Sequence, residues 1–592
     1  MLNHGVIGNG RLLALVSPST HIEWFCVPRF DSPSVFARLL DDEKGGSFGF
    51  EPVDLKESRM SYVVNTNVLC TQVTTAEGSF DLYDYAPRVP AGLGVDAPLE
   101  LHRVLVPREG EPRVKAIFDP RPDYGRVVPE IVEVTGGLDV RGGPTSLHLR
   151  SNVPASYLAN GLPFRLDETR YFIISAREPT KLDSPSAVEH VLHDTIDGWR
   201  AWAKTCAIPT FAPKAVLRSA LCLKLHAYVD TGAIIAAATT SIPEAPNSER
   251  TWDYRFCWLR DAAFVVEALR RLSHLGEGEA FVRFLRQVAE NGPLQPVYGI
   301  GGERELVEEH LDHLKGCFGG RPVRIGNAAY IQSQHDVMGE VVLCLETILS
   351  DERIVVRDMQ SIFTLVEHLV GQAIALFDVD DTGIWEYRTN PGPHTFSKML
   401  CWVAARRGVE LAAATGHEDK AQEWSRWADE KQAFILERAY NAELGYFTQM
   451  LNGKYPDASL LLMPTFGIID ARDPRFVSTV RAYERLLAPN GLMYRYRHLD
   501  DFGETTSAFS ICSFWWVEAV AAMGELERAI EIFNRLLTYA NPVGLFSEDL
   551  DPKTGELFGN FPQAYTHVGL IHAAITIGEL LEARESRFRA WT

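Results

Sequence analysis

Two carboxylates in unlike surroundings carry the most chemistry in this chain. Glu386 lies in Asp381-Thr382-Gly383-Ile384-Trp385-Glu386-Tyr387-Arg388, between two aromatic side chains. Flanking rings would strip water from its carboxyl, raise the pKa and keep it protonated as an acid. The same segment can also be an exposed glutamate paired with Arg388. Glu548 lies in Gly544-Leu545-Phe546-Ser547-Glu548-Asp549-Leu550-Asp551-Pro552, among other acids in a polar loop. Such a setting keeps a carboxylate ionised and able to activate water as a general base. Its plain alternative is a solvated turn with a helix-capping Asp. Taken together, the two groups are what inverting glycoside hydrolysis needs. One protonates the leaving oxygen while the other activates water on the opposite face of the sugar ring.

Around them is a vocabulary for polyhydroxylated ligands. The stretch Glu249-Arg250-Thr251-Trp252-Asp253-Tyr254-Arg255-Phe256-Cys257-Trp258-Leu259-Arg260-Asp261 mixes acids, guanidinium groups and rings. Carboxylates accept from hydroxyls, guanidinium donates, and aromatic faces stack on C–H faces. An Arg–Asp network at a helix N-terminus, with Asp261 serving the macrodipole, accounts for the same residues. Arg321 and Arg324 in Arg321-Pro322-Val323-Arg324-Ile325-Gly326-Asn327, and Arg495 in Met493-Tyr494-Arg495-Tyr496, suit hydroxyl clamps or ordinary turns. No Lys-Ser/Thr follows Gly299, Gly301 and Gly302, so they form no phosphate loop. No G-x-S-x-G appears in a strand–turn–helix context and no histidine pair has zinc spacing, so no metal or cofactor is expected.

The elements that must hold these groups change period along the chain. Over 1–185, Phe80 and Leu82, Val114, Ala116 and Phe118, and Tyr171 to Ser175 read as short strands between turns, the pattern of an antiparallel β-sandwich. Over 186–212, Val188, Leu192, Ile196, Trp199 and Trp202 recur at helical spacing before Pro209 and Pro213, a helical linker. From 213 to 592 helical patterns dominate, including 214–230, 328–350, 358–377, 396–414, 506–523 and 564–583, in about eleven or twelve segments. Long loops at 240–258, 292–327, 380–395, 488–505 and 541–563 carry the chemistry-bearing residues, as loops on a rigid scaffold commonly do. A ring of paired helices would gather them at one end.

Composition narrows the partners. The 592 residues carry a net charge of −20, a poor match for phosphate backbones or anionic membranes, so neither nucleic acid nor a membrane is an expected partner. The most apolar window, Ala508 to Gly524, is about one core helix long and contains Glu518, so no span is expected. The N-terminus lacks a basic n-region. The nine cysteines are scattered without a CxxC pair, read as reduced core residues of a cytoplasmic protein. A homo-oligomer is left open.

At these loops the chain resembles glycoside hydrolase family 15, the glucoamylase and bacterial trehalase family. The likeness runs through Ile7-Gly8-Asn9-Gly10, Pro28-Arg29-Phe30-Asp31-Ser32-Pro33, Trp252-Asp253-Tyr254-Arg255, Trp258-Leu259-Arg260-Asp261, Arg321 to Ala329, Gly383-Ile384-Trp385-Glu386, Ile511 to Trp515 and Gly559 to Ala564, covering nearly the whole chain. It implies an N-terminal super-β-sandwich, a helical linker and an (α/α)6 barrel. It also implies Glu386 as general acid, Glu548 as general base, Arg260 and Asp261 gripping the non-reducing glucose, Tyr254, Trp258, Trp385 and Arg495 as other walls, and Arg321 and Arg324 at the rim. Tyr387 to Pro391 and Asp501 to Ser507 depart from the family pattern and bear on the leaving-group side. The implied activity is an inverting exo-hydrolase releasing β-glucose from α-linked glucosides, glucoamylase-like, with trehalase as the alternative. A phosphorylase on a similar barrel ranks below both, because it needs an anion site rather than a carboxylate base such as Glu548. So does a non-catalytic glycan-binding protein, because both Glu386 and Glu548 are retained in the matching loops.

Overall fold

Period-2 alternation builds the N-terminal part of the molecule, up to Ser175. In the computed structural model, which describes residues 2–92, 94–182, 184–354 and 359–589, strand Leu69–Thr75 turns Leu69, Thr71, Val73 and Thr75 inward and leaves Gln72 and Thr74 exposed. The expected strands appear as Gly78–Tyr85, Arg113–Asp119 and Arg170–Ser175. One sheet has seven strands and the other eight, and every pairing within them is antiparallel. Their inner faces share one apolar core, and Phe48 and Phe50 of one sheet meet Phe172 of the other at ring-centroid distances of 5.9 and 4.8 Å. Inside that core Arg103 pairs with Asp84, both side chains fully buried.

The helix Pro185–Lys204 follows the last strand. Ser184 caps it by accepting from Ala187 N at 3.2 Å, Pro185 opens it, and Val188, Leu192, Ile196 and Trp199 form its buried stripe. From Pro213 onward the helices alternate between an outer and an inner ring. The inner ring is Leu259–Arg271, Asp336–Leu349, Thr395–Ala414, Ala458–Leu462, Ser510–Ala522 and Ala564–Arg589, each packing on the next and the last on the first. The outer ring is Pro213–His226, Gly276–Glu290, Met359–Leu376, Glu418–Ala439, Pro474–Leu487 and Leu526–Leu537. Sequence character sorts them. Every residue from Ser510 to Ala521 is buried, whereas Leu526–Leu537 buries only Leu526, Ala529, Ile532, Phe533 and Leu536, a one-sided stripe.

The (α/α)6 plan therefore holds with one reduction. The fourth inner element is a five-residue 3-10 turn, Ala458–Leu462, started by Asp457, whose side chain accepts from Ser459 N. The helical pattern expected at 328–350 splits into a 3-10 turn at Ala328–Ile331 and the helix Asp336–Leu349. That expected to start at 358 begins, among the described residues, at Met359, and position 358 lies outside them. No described helix is long and apolar enough to cross a membrane. All nine cysteines are free, with Cys70 and Cys206 half-buried and the rest buried.

The sandwich and the barrel meet at the loop that precedes Leu259–Arg271. Arg255 is fully buried, paired with Asp253 at 2.6 Å, and donates to Ser32 O and Tyr124 Oη at 2.9 Å each. Trp24 Nε1 donates to Ala238 O at 2.7 Å. Residues of the first domain thus hold the Trp252–Trp258 segment from behind.

Candidate active site

The N-terminal ends of the inner helices gather the candidate residues at one end of the barrel. Cys257–Trp258 pairs antiparallel with Val297–Tyr298, which fixes Trp258 just ahead of helix Leu259–Arg271. Trp258 Nε1 donates to Glu386 Oε1 at 2.7 Å, and Arg260 Nη2 approaches the same oxygen at 3.3 Å. Asp261 sits in the first turn of that helix, where the dipole favours a carboxylate, yet burial pushes its pKa up to about 6. Arg260 is also 3.3 Å from Asp336 and 3.5 Å from Asp261, so one guanidinium serves several acids.

Glu386 has a left-handed backbone, φ 61°, in a turn closed by its N–H donating to Gly383 O at 3.1 Å. A non-glycine residue there is uncommon, and such strain clusters at functional sites. Gly383 is itself left-handed at φ 66°, and a Cβ there would stand 2.8 Å from the His394 ring, so glycine is required. Trp385 turns its indole N–H onto Asp457 at 2.9 Å and packs edge-on against Phe509.

Glu548 corrects the sequence expectation. Its loop is not a solvated polar turn, because Glu548 is only 1% exposed. The three-stranded ladder of Ala508–Phe509, Asp549–Leu550 and Leu557–Phe558 folds it inward, and its own C=O and N–H are bonded to Ser510 and Asn560. Oε1 accepts from Tyr254 Oη at 2.7 Å and Oε2 from Asn560 N at 3.2 Å. Gly559 (φ 71°) makes this fit possible, since a Cβ there would lie 2.7 Å from Oε2. Burial and then the neighbouring Glu244 carboxylate hold the Glu548 pKa well above the carboxylate range, against the opposing pull of the Tyr254 hydrogen bond and Arg495. The desolvation expected at Glu386 is thus found at Glu548. The Glu386 side chain is the more open one, 24% exposed, and is met by two donors.

Glu244, Glu548 and Asp549 bring carboxylate oxygens within 4.8 Å of one another, the one acidic trio among the described residues able to hold a metal ion. The cation at hand is Arg495, whose Nη2 lies 2.5 Å from Glu244 Oε2. Glu244 also accepts from Trp252 Nε1 at 3.2 Å, and Asp549 from Ser507 Oγ at 2.7 Å.

Most of these groups converge on one open pocket. Tyr254, Trp258, Arg260, Asp261, Trp385, Glu386 and Arg495 line it. Glu548 does not; it stands one hydrogen bond behind Tyr254. Arg321 and Arg324, expected at the rim, are not among the lining residues. Arg321 is exposed and donates to Lys315 O, while Arg324 is buried, lies over the Trp252 ring at 4.7 Å and binds the Thr251 and Glu249 carbonyls. Glu244, Gln332 and Tyr565, not singled out from sequence, line the pocket too, as do Asn327 and Gln563 from the Arg321–Ala329 and Gly559–Ala564 motifs. Arg260 Nε, Arg495 Nε and Tyr565 Oη are buried without a hydrogen-bond partner, which suits a ligand rich in hydroxyls.

Residues 210–575 match the family described as Glycosyl hydrolases family 15, and residues 2–157 match the trehalase-like N-terminal family. The chain belongs to glycoside hydrolase family 15. It is a glycoside hydrolase, with α-glucosides as the substrate class of the family reading and a small carbohydrate as ligand. A relative named trehalase from Mycolicibacterium smegmatis is 34% identical, covering 99% of this chain and 92% of its own. Another trehalase, from Thermoplasma volcanium, is 32% identical over 99% of this chain and 95% of its own. The fold matches a bacterial glucoamylase solved with acarbose at a TM-score of 0.69, with 14% identity, over 97% of this chain and 94% of that one. For this family 15 member, a β-sandwich followed by an (α/α)6 barrel is the expected architecture and the observed one.

Proposed function

We propose that this family 15 hydrolase cleaves α,α-trehalose with inversion. The observation that carries this reading is the whole-length similarity to relatives named trehalase in both bacteria and archaea. It moves trehalase ahead of the glucoamylase-like exo-hydrolase that the sequence put first.

In this reading one glucose occupies the deep end of the pocket, among Arg260, Asp261, Trp385 and Tyr565, with the glycosidic oxygen at Glu386. Glu386 gives its proton to that oxygen as the C–O bond breaks, so glucose leaves as a neutral alcohol. Water on the opposite face attacks the anomeric carbon and loses its proton to Glu548. Tyr254 holds the Glu548 carboxylate, and Arg495 and Glu244 fix the charge around it. Each carboxyl then recovers its starting state by proton exchange with solvent.

Glucose release from trehalose, maltose, isomaltose and soluble starch, with and without phosphate, tests the assignment. Trehalose should be the best substrate by about 100-fold in kcat/KM, a margin that site hydrogen bonds to the leaving sugar can supply. A preference for maltose or starch would return the glucoamylase-like reading, and strict dependence on phosphate with release of a sugar phosphate would mark a phosphorylase.

A further inference from the structure

A strap lines the pocket on the side of the Glu386 turn. Leu499 to Gly503 crosses from the segment carrying Arg495 to the turn that carries Glu386, and Asp500, Asp501 and Phe502 face the cavity. Two latches hold it. Asp501 accepts from the Arg388 backbone N–H at 2.6 Å and from the Thr389 hydroxyl. Asp500 pairs with the buried Arg250, which also donates to Gly503 O at 3.0 Å.

Behind the latches stands a packed wall. The Phe502 and Trp252 rings meet edge to face at 5.0 Å. The Arg388 guanidinium lies over both, 4.8 Å from Trp252 and 5.6 Å from Phe502, and is tied to Glu308 at 2.8 Å. Glu308 is in turn 3.2 Å from Arg324, so the wall is anchored to the loop below it. Apart from Glu308–Arg324, each of these contacts joins residues on different loops.

We propose that this strap sets the acceptor length: it ends the pocket one sugar beyond Glu386 and restricts the enzyme to disaccharides. This rests on the trehalase reading and adds a residue-level cause of specificity to it. A second glucose attached to the leaving sugar would have to pass through the Arg388–Phe502–Trp252 wall. Exclusion by steric conflict is an effective way to separate substrates that share the reacting bond.

The test compares trehalose with trisaccharides in which one glucose of trehalose carries a further α-linked glucose on O4 or on O6. The wild-type enzyme should prefer trehalose by about 100-fold in kcat/KM, and Asp501→Ala, which removes one latch, should shrink that ratio about tenfold through a lower KM for the trisaccharides. Phe502→Gly, which opens the wall without touching the latch, should do the same. A wild-type enzyme that cleaves all three sugars equally well, or two variants whose ratio stays at the wild-type value, overturns the strap. Failure on trehalose itself would instead count against the function proposed above, and maltose against maltotriose would then read the strap in the same way.

Discussion

Tyr254 and Trp258 stand edge to face, ring centroids 5.4 Å apart, and each holds one of the two candidate catalytic carboxyls. Tyr254 donates to Glu548 and Trp258 to Glu386, both at 2.7 Å. One short segment thereby sets the positions of the two carboxyls relative to each other, and any shift of that segment moves both.

Removing the acid should separate substrates by leaving group. Glu386→Gln should lower kcat on trehalose by about 10²–10⁴-fold, the usual worth of a positioned proton donor. Aryl glucosides with acidic phenols need little protonation and should lose much less. Equal losses on both would show that Glu386 is not the proton donor.

The acidic limb of kcat/KM should respond in opposite directions to two neighbours of Glu548. Its pKa is raised by burial and by the Glu244 charge, and lowered by the Tyr254 hydrogen bond. The base works when ionised, so the limb should lie above the ordinary carboxylate range. Glu244→Gln removes a like charge and should move it down by about one pH unit, whereas Tyr254→Phe should move it up. A limb unmoved in both variants would assign it to another group. Stability gives a second readout. A carboxyl with a raised folded-state pKa contributes stability below its unfolded pKa and loses it as pH rises through the folded one. Glu548→Gln should therefore gain stability over wild type as pH rises.

Stereochemistry tests the mechanism as a whole. Inversion at the attacked carbon of trehalose yields one β-glucose from the donor, while the leaving glucose keeps its α configuration. Proton NMR in the first minutes, before mutarotation, should show the two anomers in equal amounts. Two α-anomers would mean double displacement and would remove Glu548 from the role of base.

Arg255 should matter to folding and catalysis together. Arg255→Met leaves Asp253 buried without its counter-ion, which costs about 3–5 kcal/mol in comparable cases. The denaturation midpoint should fall accordingly. Activity should fall in the surviving folded fraction too, because Asp253 also accepts from Gly326 N at 3.2 Å and flanks Tyr254. A variant with wild-type stability would show that the sandwich does not brace this loop.

Much of this was legible in local sequence. Strand alternation at Phe80 and Leu82, and the buried stripe of Val188, Leu192, Ile196 and Trp199, are periodic signals that survive tertiary packing. Glu386 and Glu548 stood out because acids beside rings, or among acids, are unusual in loops. Their environments were not legible, since hydration depends on residues distant in sequence. Asp549 and Asp551 suggested a wet loop for Glu548, yet the strand pairing turns Glu548 and Asp549 inward beside Glu244, some three hundred positions earlier. Arg321 and Arg324, three residues apart on a turn, were indistinguishable by composition, and only tertiary structure puts one in solvent and the other under Trp252. The strap was visible as a departure from the family pattern at Asp501 to Ser507, without the latches that give it a purpose.

The left-handed backbone at Glu386 sets chemistry against stability at a single residue. A glutamate there carries strain of about 1–2 kcal/mol that an asparagine, more at ease in this region, would largely relieve. Variants selected for heat resistance alone should therefore drift toward Asn or Gly at 386 and arrive inactive. A screen that couples survival at high temperature to sugar cleavage should keep the glutamate and recover its stability elsewhere in the barrel.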